Sequence, residues 1–428
     1  MTEHRSGEIS IDVDSHLITK GTLTVLVSMS TAMYKSIDIW KRLDGKTLVR
    51  YRCFEILASN RFCVQSSDHY RLPLDEPQGG DKEIYIDAVI KRAKDLLGEK
   101  YQTIFDLGLE NILADMHEDL AEFGVLFDNW FSERQFVATK VVDKMLAKLK
   151  QSGHTYEREG ALWFRATDFG YEKDRVLVRS NGVHTYFVND LAYHLNKFER
   201  GFDLSLNIFG SDHHGYAQHM KAGIQAFGID PERWLYLLMQ FVLLYRHGEQ
   251  VSMSTRGGTF ITLRELRSEV GNDAARFFYI MKKCEQRIDF DLDLAKSKSN
   301  ENPVYYVQYA HARICSVLKQ MADRQLRFDV TQGLTHLDLL AAPQEQQLLN
   351  TLSRYPDMII NAALQYEPHL VTHFLRELAG DFHTYYNSHQ FLVEEEALRN
   401  ARLALVTAVK QVLTNGLNLI GVSAPETM

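Results

Sequence analysis

Residues 210–228 read GSDHHGYAQHMKAGIQAFG, and they directly follow the short apolar run LSLNIF at 204–209. Such a run is typical of a buried parallel strand, and the glycine at its end stops it. Gly210 allows a tight turn, and Ser211 or Asp212 could cap the helix that the next residues predict. The stretch therefore predicts the strand, turn and helix of an α/β nucleotide-binding fold.

The predicted turn carries two adjacent histidines, His213 and His214. Free N–H groups at a helix N-terminus suit an anionic phosphate, and the histidines would add donors. A capped helix with partly buried histidines explains the same residues without a ligand. A metal site of Asp212, His213 and His214 is a third interpretation, although adjacent histidines point to different helix faces.

A second candidate site lies upstream, in VHTYFVNDLAYH at 183–194. Tyr186 and Asp190 stand at positions i and i+4, so on a helix their side chains share one face. A phenol and a carboxylate placed in this way could hold a guanidinium group through charge-assisted hydrogen bonds. An ordinary surface polar pair is the alternative that the pattern leaves open.

The segment VSMSTRGG at 251–258 is polar and ends in glycines, and it lies between two apolar runs. Loops of this kind can close over phosphates, and Arg256 could then neutralise the charge of a transferred group. Many such loops are only connectors, so the segment alone does not decide between the two interpretations.

The composition is that of an ordinary globular chain of 428 residues, 45% hydrophobic and 24% charged, which predicts two or three domains. The net charge of −8 argues against non-specific tracking along nucleic-acid phosphates, but shape and stacking could still serve RNA recognition. The cysteines at 53, 63, 284 and 315 form no C-x-x-C pair, which argues against structural zinc. They favour a reducing, cytoplasmic location. No membrane partner is expected, because no apolar run approaches about 18 residues.

The residue pattern changes along the chain. Residues 1–80 look irregular, apart from LTVLVSMS at 23–30, which could be a strand. Helical spacing begins near Glu83 and continues through Ile104, Leu107 and Ile112. ALWFRATDF at 161–169 and DRVLVRS at 174–180 favour strands.

Later segments give two further expectations. DPERWLYLLMQFVLLY at 230–245 mixes helical and strand character. After Pro303 the pattern is long, amphipathic and almost free of strand signals, which predicts helices to the last residues. Asn415 and Gly416 would form the C-cap of the final helix.

Together these segments resemble arginyl-tRNA synthetase, a class I aminoacyl-tRNA synthetase family, from about Glu83 to Met428. GSDHHGY is similar to the second nucleotide motif of that family, and VSMSTR stands in the place of its mobile signature loop. EVGNDAARFFYIMKK at 269–283 and IDFDLDLAKSKSNENPVYYVQYAHARI at 288–314 are similar to the passage into its helical anticodon-binding domain.

The resemblance implies roles for individual residues. The residues expected to bind arginine are Tyr186, Asp190 and Gln218. Those expected to bind ATP are Gly210, Asp212, His213, His214, Val251 and Met253. Catalysis is expected to involve His213, His214, Ser254 and Arg256. Those expected to contact tRNA, by stacking and packing against anticodon bases, are Tyr306, Tyr309 and Met428.

The implied architecture is a partial Rossmann-type α/β nucleotide-binding domain followed by an all-α anticodon-binding domain. Residues 1–80 are unassigned, residues 81–302 form a remnant of the catalytic domain with an inserted region, and residues 303–428 form the anticodon-binding domain. The implied ligands are arginine, the tRNA for arginine, and ATP with Mg²⁺ as its counter-ion. We expect no protein-bound metal, and we expect a monomer.

The chain departs from the family pattern at two places. No H-x-G-H occurs in the 428 residues, although the family uses these histidines to stabilise charge on the ATP phosphates. Ser252 and Thr255 stand where the signature loop has lysines in its fullest form. We therefore expect an arginine–tRNA ligase that is either truncated or catalytically impaired. A catalytically inactive tRNA-binding relative is one alternative, and a metal-dependent hydrolase using Asp212, His213 and His214 is another.

Overall fold

A computed structural model describes residues 94, 95, 97–253 and 260–428, together with strand segments within residues 7–71. The chain divides into two compact units, Met1–Leu126 with Ser252–Leu263, and Phe127–Val251 with Arg264–Met428. We call them the first and the second unit. All candidate side chains that the structure describes belong to the second unit, except that of Met253.

The first unit contains an antiparallel sheet within the first 71 residues. Its strands are β1 (Gly7–Ser10), β2 (Thr24–Met29), β3 (Tyr34–Arg42), β4 (Thr47–Ile56), β5 (Arg61–Gln65) and β6 (His69–Arg71). Strands β1 to β5 follow one another across the sheet, and β6 pairs with β4. The expectation of an irregular region is therefore wrong, although the strand expected in LTVLVSMS is present as β2. Strand β4 (TLVRYRCFEI) alternates between apolar and polar residues from Val49 to Cys53, which is the usual sequence signal for a strand, so this strand could have been predicted.

The helix predicted from Ile104, Leu107 and Ile112 is present as α1 (Lys100–Glu122). The second unit then begins with α2 (Glu133–Ala138), α3 (Val141–Gln151) and a three-stranded antiparallel sheet. The strands of this sheet are β7 (Thr155–Arg158), β8 (Ala161–Phe164) and β9 (Arg175–Val178). The strands expected in ALWFRATDF and DRVLVRS are thus confirmed.

The strand, turn and helix predicted around Gly210 are also present. Helix α4 (Tyr186–Glu199) precedes β10 (Ser205–Gly210), and α5 (His214–Ala226) leads to β11 (Trp234–Met239). Strands β10 and β11 pair in parallel, with Gly210 opposite Met239. Helix α5 is therefore a crossover between parallel strands, and the turn after Gly210 lies at the carboxyl end of the sheet, where α/β folds bind ligands.

Strand β10 is buried on one side only. Ser205 and Asn207 are buried, whereas Leu206 and Ile208 are 41% and 66% exposed. The expectation of a fully buried strand is therefore wrong. The physical reason is that the described residues do not form a layer that covers the face of β10 carrying Leu206 and Ile208.

The core that positions the site lies between α4 and α5. The interlocking buried side chains are Val188, Leu191, Leu195, Met220 and Ile224. At Gly223 of α5 an added Cβ would lie 2.8 Å from Cδ1 of Leu191, so this close approach of the two helices requires glycine. The close packing fixes the start of α5 relative to α4.

Segment 230–245 forms two strands, β11 and β12 (Val242–Arg246), after a short 3₁₀ turn at Pro231–Arg233. Strand β12 pairs antiparallel with β13 (Glu249–Gln250) and parallel with β14 (Ile288–Asp291). In the sequence, helices α6 (Leu263–Val270) and α7 (Asn272–Ile280) lie between β13 and β14, and α8 (Leu292–Lys296) follows β14. The expected mixture of helix and strand is therefore wrong for this segment, because its apolar residues form paired strands.

The prediction of helices after Pro303 is confirmed. They are α9 (Pro303–Asp323), α10 (Val330–Thr335), α11 (Pro343–Ser353), α12 (Tyr355–Leu364), α13 (His369–Ser388) and α14 (Glu396–Leu419). Pro303 and Pro343 occupy first-turn positions, where a helix does not need the missing N–H. None of the helices in the described ranges is both long and apolar enough to cross a membrane.

The predicted C-cap at Asn415 and Gly416 is wrong, because α14 continues to Leu419. An added Cβ at Gly416 would lie 2.6 Å from Cδ2 of Leu375 on α13, so this glycine serves close helix packing. The left-handed residue that follows the helix is Gly421, with φ of +69°.

Candidate functional site

The turn after β10 differs in detail from the predicted one. A 3₁₀ turn at Ser211–His213 comes first, and α5 begins at His214 with His213 as its N-cap and no capping side-chain hydrogen bond. Ser211 and Asp212 therefore do not cap α5, because they lie within the preceding turn. Gly210 has φ of −65°, so the turn does not use a left-handed glycine. An added Cβ there would instead lie 2.5 Å from Oδ1 of Asp212.

Both histidines of the turn are exposed. Nε2 of His213 lies 3.8 Å from Oδ2 of Asp212, and its ring packs 5.9 Å from Phe209 and 6.0 Å from Tyr216 between centroids. The side chain of His213 is 53% exposed, and the capping side chain of the ligand-free interpretation is not observed at the start of α5. Exposed ring nitrogens beside the N-terminus of α5 can donate hydrogen bonds to an anionic ligand.

Asp190 is half-buried on α4 and accepts a short hydrogen bond from the hydroxyl of Tyr216 on α5. Burial raises the pKa of Asp190, and nearby Glu133 raises it further, whereas the Tyr216 hydrogen bond and His213 act in the opposite direction. Burial together with the carboxylate of Asp190 also raises the pKa of Tyr216. A half-buried carboxylate with a second carboxylate nearby is an environment that favours a cationic ligand.

Glu133 is a candidate that the sequence pattern missed. It is the first residue of α2, and the N-cap Ser132 accepts a hydrogen bond from the Gln135 amide at 3.3 Å. Nδ2 of Asn189, next to Asp190, donates to Oε1 of Glu133 at 3.3 Å. A glutamate in the first helical turn is ordinary in sequence, so no local signal marks it as part of a site.

Tyr186 is confirmed as helical and starts α4. Oγ1 of the preceding Thr185 donates to the Val176 carbonyl at 2.9 Å, which fixes the start of α4 against β9. Tyr186 is 81% exposed and shares a helical face with Asp190. Gln218 is exposed on α5, two residues beyond Tyr216, and therefore on a different face of that helix from Tyr216.

The signature-loop candidates are described only in part. The amide of Val251 donates to the Leu244 carbonyl at 2.8 Å, which extends the β12–β13 hairpin. Met253 is 41% exposed. Ser254 and Arg256, both predicted to act in catalysis, lie outside the described residues, and so does Thr255.

The two predicted RNA-contacting tyrosines lie on one face of α9. Their ring centroids lie 4.6 Å (Tyr306) and 5.7 Å (Tyr309) from that of His383 on α13. Nε2 of His383 lies 3.1 Å from the Tyr306 carbonyl oxygen, and burial lowers the pKa of this histidine. The Arg313 guanidinium lies 4.4 Å from the centre of the Tyr309 ring and 4.6 Å from that of Tyr386. This aromatic surface with one guanidinium suits the stacking of unpaired bases.

Met428 is 50% exposed and lines a cleft of about 630 Å³ between α6, α8 and α9. Tyr305 lines the same cleft, as do the side chains of Lys296 and Lys298. Met428, the third predicted RNA contact, therefore shares a cleft with Tyr305, which directly precedes Tyr306 on α9.

Two sequence families match the chain. The family described as "tRNA synthetases class I (R), catalytic domain" matches residues 98–313, and the "DALR anticodon binding domain" matches residues 307–428. The chain belongs to the arginyl-tRNA synthetase family. The arginine–tRNA ligase of Thioalkalivibrio sulfidiphilus is 57% identical over 374 residues, covering 85% of this chain and 64% of that protein. That of Legionella pneumophila (strain Corby) is 57% identical over 358 residues, covering 83% of this chain and 61% of that protein.

A solved structure also supports membership of the arginyl-tRNA synthetase family. A Campylobacter jejuni protein, provisionally described as an arginyl-tRNA synthetase, superposes with a TM-score of 0.70 at 29% sequence identity. The match covers 83% of this chain and 78% of that one. The predicted α/β catalytic domain followed by a helical anticodon-binding domain is thereby confirmed.

The chain spans 61% to 64% of the length of the two curated synthetases named above. Neither alternative to a synthetase is supported, since the curated relatives carry the name arginine–tRNA ligase. For the hydrolase, the described residues also contain no group of three or more His, Cys, Asp or Glu side chains placed to hold a metal ion.

In this chain, the structure brings four groups together between α2, α4 and α5. They are Asp190, Tyr216, His213 and Glu133. Of these, the sequence pattern identified Asp190 and His213. Tyr216 stands inside the quoted GSDHHGY motif, and its spacing of two residues from His214 was the available signal for placing it at the start of α5.

Proposed function

We propose that this chain carries the arginine, ATP and tRNA sites of an arginine–tRNA ligase. The observation that carries the proposal is the half-buried Asp190, which has a second carboxylate, Glu133, close by and a hydroxyl donor, Tyr216, in contact. The proposed enzyme acts as a cytoplasmic monomer and uses ATP with Mg²⁺ as its counter-ion. Its ligands are the amino acid arginine and the tRNA for arginine.

The guanidinium of arginine fits the carboxylate pair. A guanidinium presents a planar fork of N–H donors, and two neighbouring carboxylates can each accept from it. The Tyr216 hydroxyl fixes one oxygen of Asp190, which leaves the other oxygen for the ligand. Tyr186 starts the same helix and adds a phenol on the face of Asp190, and Gln218 is the third proposed arginine contact.

The ATP phosphates are proposed to lie at the carboxyl end of β10. Gly210 and Asp212 form the turn there, and His213 and His214 stand exposed at the start of α5. These donors stabilise the negative charge that builds up when the arginine carboxylate attacks the α-phosphate. Val251 and Met253 are the proposed adenine contacts, and Ser254 and Arg256 are proposed to act on the phosphates.

The RNA site is proposed on the helical region. Residues 81–302 form the proposed catalytic domain, and residues 303–428 form the proposed anticodon-binding domain. Unpaired anticodon bases stack on Tyr306 and Tyr309, and Met428 packs against the same loop.

Calorimetry with the full chain tests the arginine site. Arginine is expected to bind at least about tenfold more tightly than either lysine or citrulline. Lysine is a point charge that cannot make the forked contact, and citrulline keeps the shape of arginine but has no charge. Equal affinity for arginine and citrulline would contradict the binding role of the carboxylates. Equal affinity for arginine and lysine would contradict a forked hydrogen-bond contact.

Substitution of the stacking tyrosines tests the RNA site. We expect Tyr309→Ala to weaken binding of an arginine-tRNA anticodon hairpin by about 1–3 kcal/mol. The Tyr306/Tyr309 double alanine variant is expected to weaken it further, although Tyr306 also packs on His383. The measurement is a filter-binding titration at fixed salt, with thermal melting to confirm folding. Tyr355→Ala on α12, where the ring packs on Phe374, is the matched control. Unchanged affinity in Tyr309→Ala would place the RNA elsewhere.

A further inference from the structure

The segment that follows α14 is fixed to α7 at its first residues. Nε of Arg276 donates to the Ile420 carbonyl at 3.0 Å. Gly421 has φ of +69°, a conformation that requires glycine there, and an added Cβ would also displace the Arg276 guanidinium, whose Nε would lie 2.4 Å away. Ile420 and Val422 are buried, 4% and 2% exposed. The chain is therefore held as it leaves the helix.

A second attachment joins the segment to α7 and α9 together. The amide of Ser423 donates to Oδ1 of Asp273 at 3.0 Å, and its hydroxyl makes a short hydrogen bond to the same carboxylate. Nε2 of Gln308 on α9 donates to Oδ2 of Asp273 at 2.8 Å and to the Ser423 carbonyl at 3.0 Å. Gln308 thus bridges the carboxylate of α7 and the backbone of the segment.

A third attachment comes from His311, one helical turn further along α9. Its Nδ1 lies 2.8 Å from the Pro425 carbonyl oxygen, and burial lowers the pKa of the ring, which favours a neutral imidazole with Nδ1–H as the donor. His311 is 2% exposed and Gln308 is 8% exposed. Buried polar side chains require partners, and α9 directs these two at the backbone of residues 423–425.

These attachments determine where Met428 lies. Three residues beyond Pro425, its half-exposed side chain lines the cleft with Tyr305, Lys296 and Lys298. Glu269 and Asp273 also line the cleft, and the Lys296 ammonium pairs with Glu269 at 2.8 Å. The apolar side chain of Met428, the ring of Tyr305 and the ammonium group of Lys298 match the base and the phosphate of a single-stranded nucleotide.

We infer that Gln308 and His311 are positioning residues for RNA binding. They hold residues 420–428 so that Met428 forms one wall of the cleft, without touching the RNA themselves. The inference rests on the proposed recognition of an RNA loop by α9. It adds the cleft of Lys296, Lys298, Tyr305 and Met428 as the place where a nucleotide beside the stacked bases is bound.

The test uses three variants of the full chain. His311→Phe removes the donor to Pro425, and His311→Asn keeps a donor at nearly the position of Nδ1. Met428→Ala removes the wall of the cleft without altering the attachments. His194→Phe is the matched control, because His194 is another buried histidine, 5% exposed, on α4.

Two measurements are made on each variant. Hydrogen exchange of a peptide covering 421–427 reports release of the segment without any RNA. We expect it to be about five- to tenfold faster in His311→Phe and close to wild type in His311→Asn, as for the loss and rescue of one buried hydrogen bond. Binding of the anticodon hairpin is expected to weaken by a similar factor in His311→Phe and to recover in His311→Asn.

A double-mutant cycle tests whether His311 affects hairpin affinity through Met428. If His311 acts through Met428, Met428→Ala weakens binding in the wild-type background but adds nothing in His311→Phe. Additive losses would overturn the inference, and so would faster exchange with unchanged hairpin affinity, or exchange unchanged in His311→Phe. If the wild-type chain does not bind the hairpin, the proposed RNA site fails, and the positioning role falls with it. The exchange data then still show whether His311 holds the segment.

Discussion

Charging of arginine tRNA by this chain alone is expected to be at least about a hundredfold slower than the ~1 s⁻¹ at the lower end of ordinary enzyme turnover. The reaction joins the arginine carboxylate to the α-phosphate of ATP and releases pyrophosphate, so negative charge builds on a crowded phosphorus. The sequence contains no H-x-G-H, and Ser252 and Thr255 replace the loop lysines of the family pattern. The donors among the candidate residues are the exposed His213 and His214, the start of α5 and Arg256.

The size of the expected loss follows from the way such donors act. Removing one preorganised donor costs on the order of a hundredfold or more in rate. Donors that act as a unit do not add, so the absence of several brings turnover towards background rather than multiplying each factor. The exposed turn after β10 supplies hydrogen-bond donors, but exposure to water weakens each interaction relative to a closed site.

The assay is charging of arginine tRNA with labelled arginine and ATP, with tRNA present throughout. The His213→Ala/His214→Ala double variant is the control, because any residual rate that belongs to the proposed site must fall further when its donors are removed. His194→Phe is the matched control for a histidine outside that turn. Turnover near 1 s⁻¹ or above, the ordinary range for enzymes, would show that other residues of the chain complete the phosphate site.

The elements around the site follow from local sequence, whereas the contacts between them do not. The parallel pairing of β10 and the helix at Tyr186 could be predicted, because an apolar run stopped by glycine and an i, i+4 pair are local signals. Glu133 could not be predicted as a neighbour of Asp190, because the two come near each other only where the start of α2 bonds Asn189 on α4. The Asp190–Tyr216 hydrogen bond likewise depends on the approach of α4 and α5 at Gly223.

Two glycines near the end of α14 show the same difference between local sequence and tertiary packing. Gly416 beside Asn415 has the sequence of a helix end, yet its missing side chain makes room for Leu375. Gly421, which does take the left-handed conformation after α14, has no asparagine or proline beside it to mark the position. Tertiary packing, which a local pattern does not contain, decides which of two nearby glycines ends the helix.

Removal of the Asp190 charge is expected to weaken arginine binding by roughly 2–4 kcal/mol, or about 30- to 700-fold. Asp190→Asn keeps an oxygen for the Tyr216 hydroxyl, so the loss reports the charge rather than the packing. Tyr186→Phe is expected to cost about 0.5–1.5 kcal/mol, because a neutral hydrogen bond from an exposed phenol is weaker. Glu232→Gln, at an exposed carboxylate paired with Lys221, is the control. An equal loss in Tyr186→Phe and Asp190→Asn, measured by calorimetry, would contradict the role of Asp190 as the charged partner.

The same carboxylate predicts a pH dependence. Burial and Glu133 raise the pKa of Asp190 in the free protein, so its proton is held at higher pH than usual. The guanidinium of arginine remains protonated and prefers the ionised carboxylate, so binding releases that proton. Arginine affinity is therefore expected to fall as the pH is lowered through the raised pKa and to level off above it. The decisive comparison is with Asp190→Asn, in which the Asp190 contribution must disappear. An identical pH profile in both proteins would assign the titration to other groups and remove Asp190 from the guanidinium site.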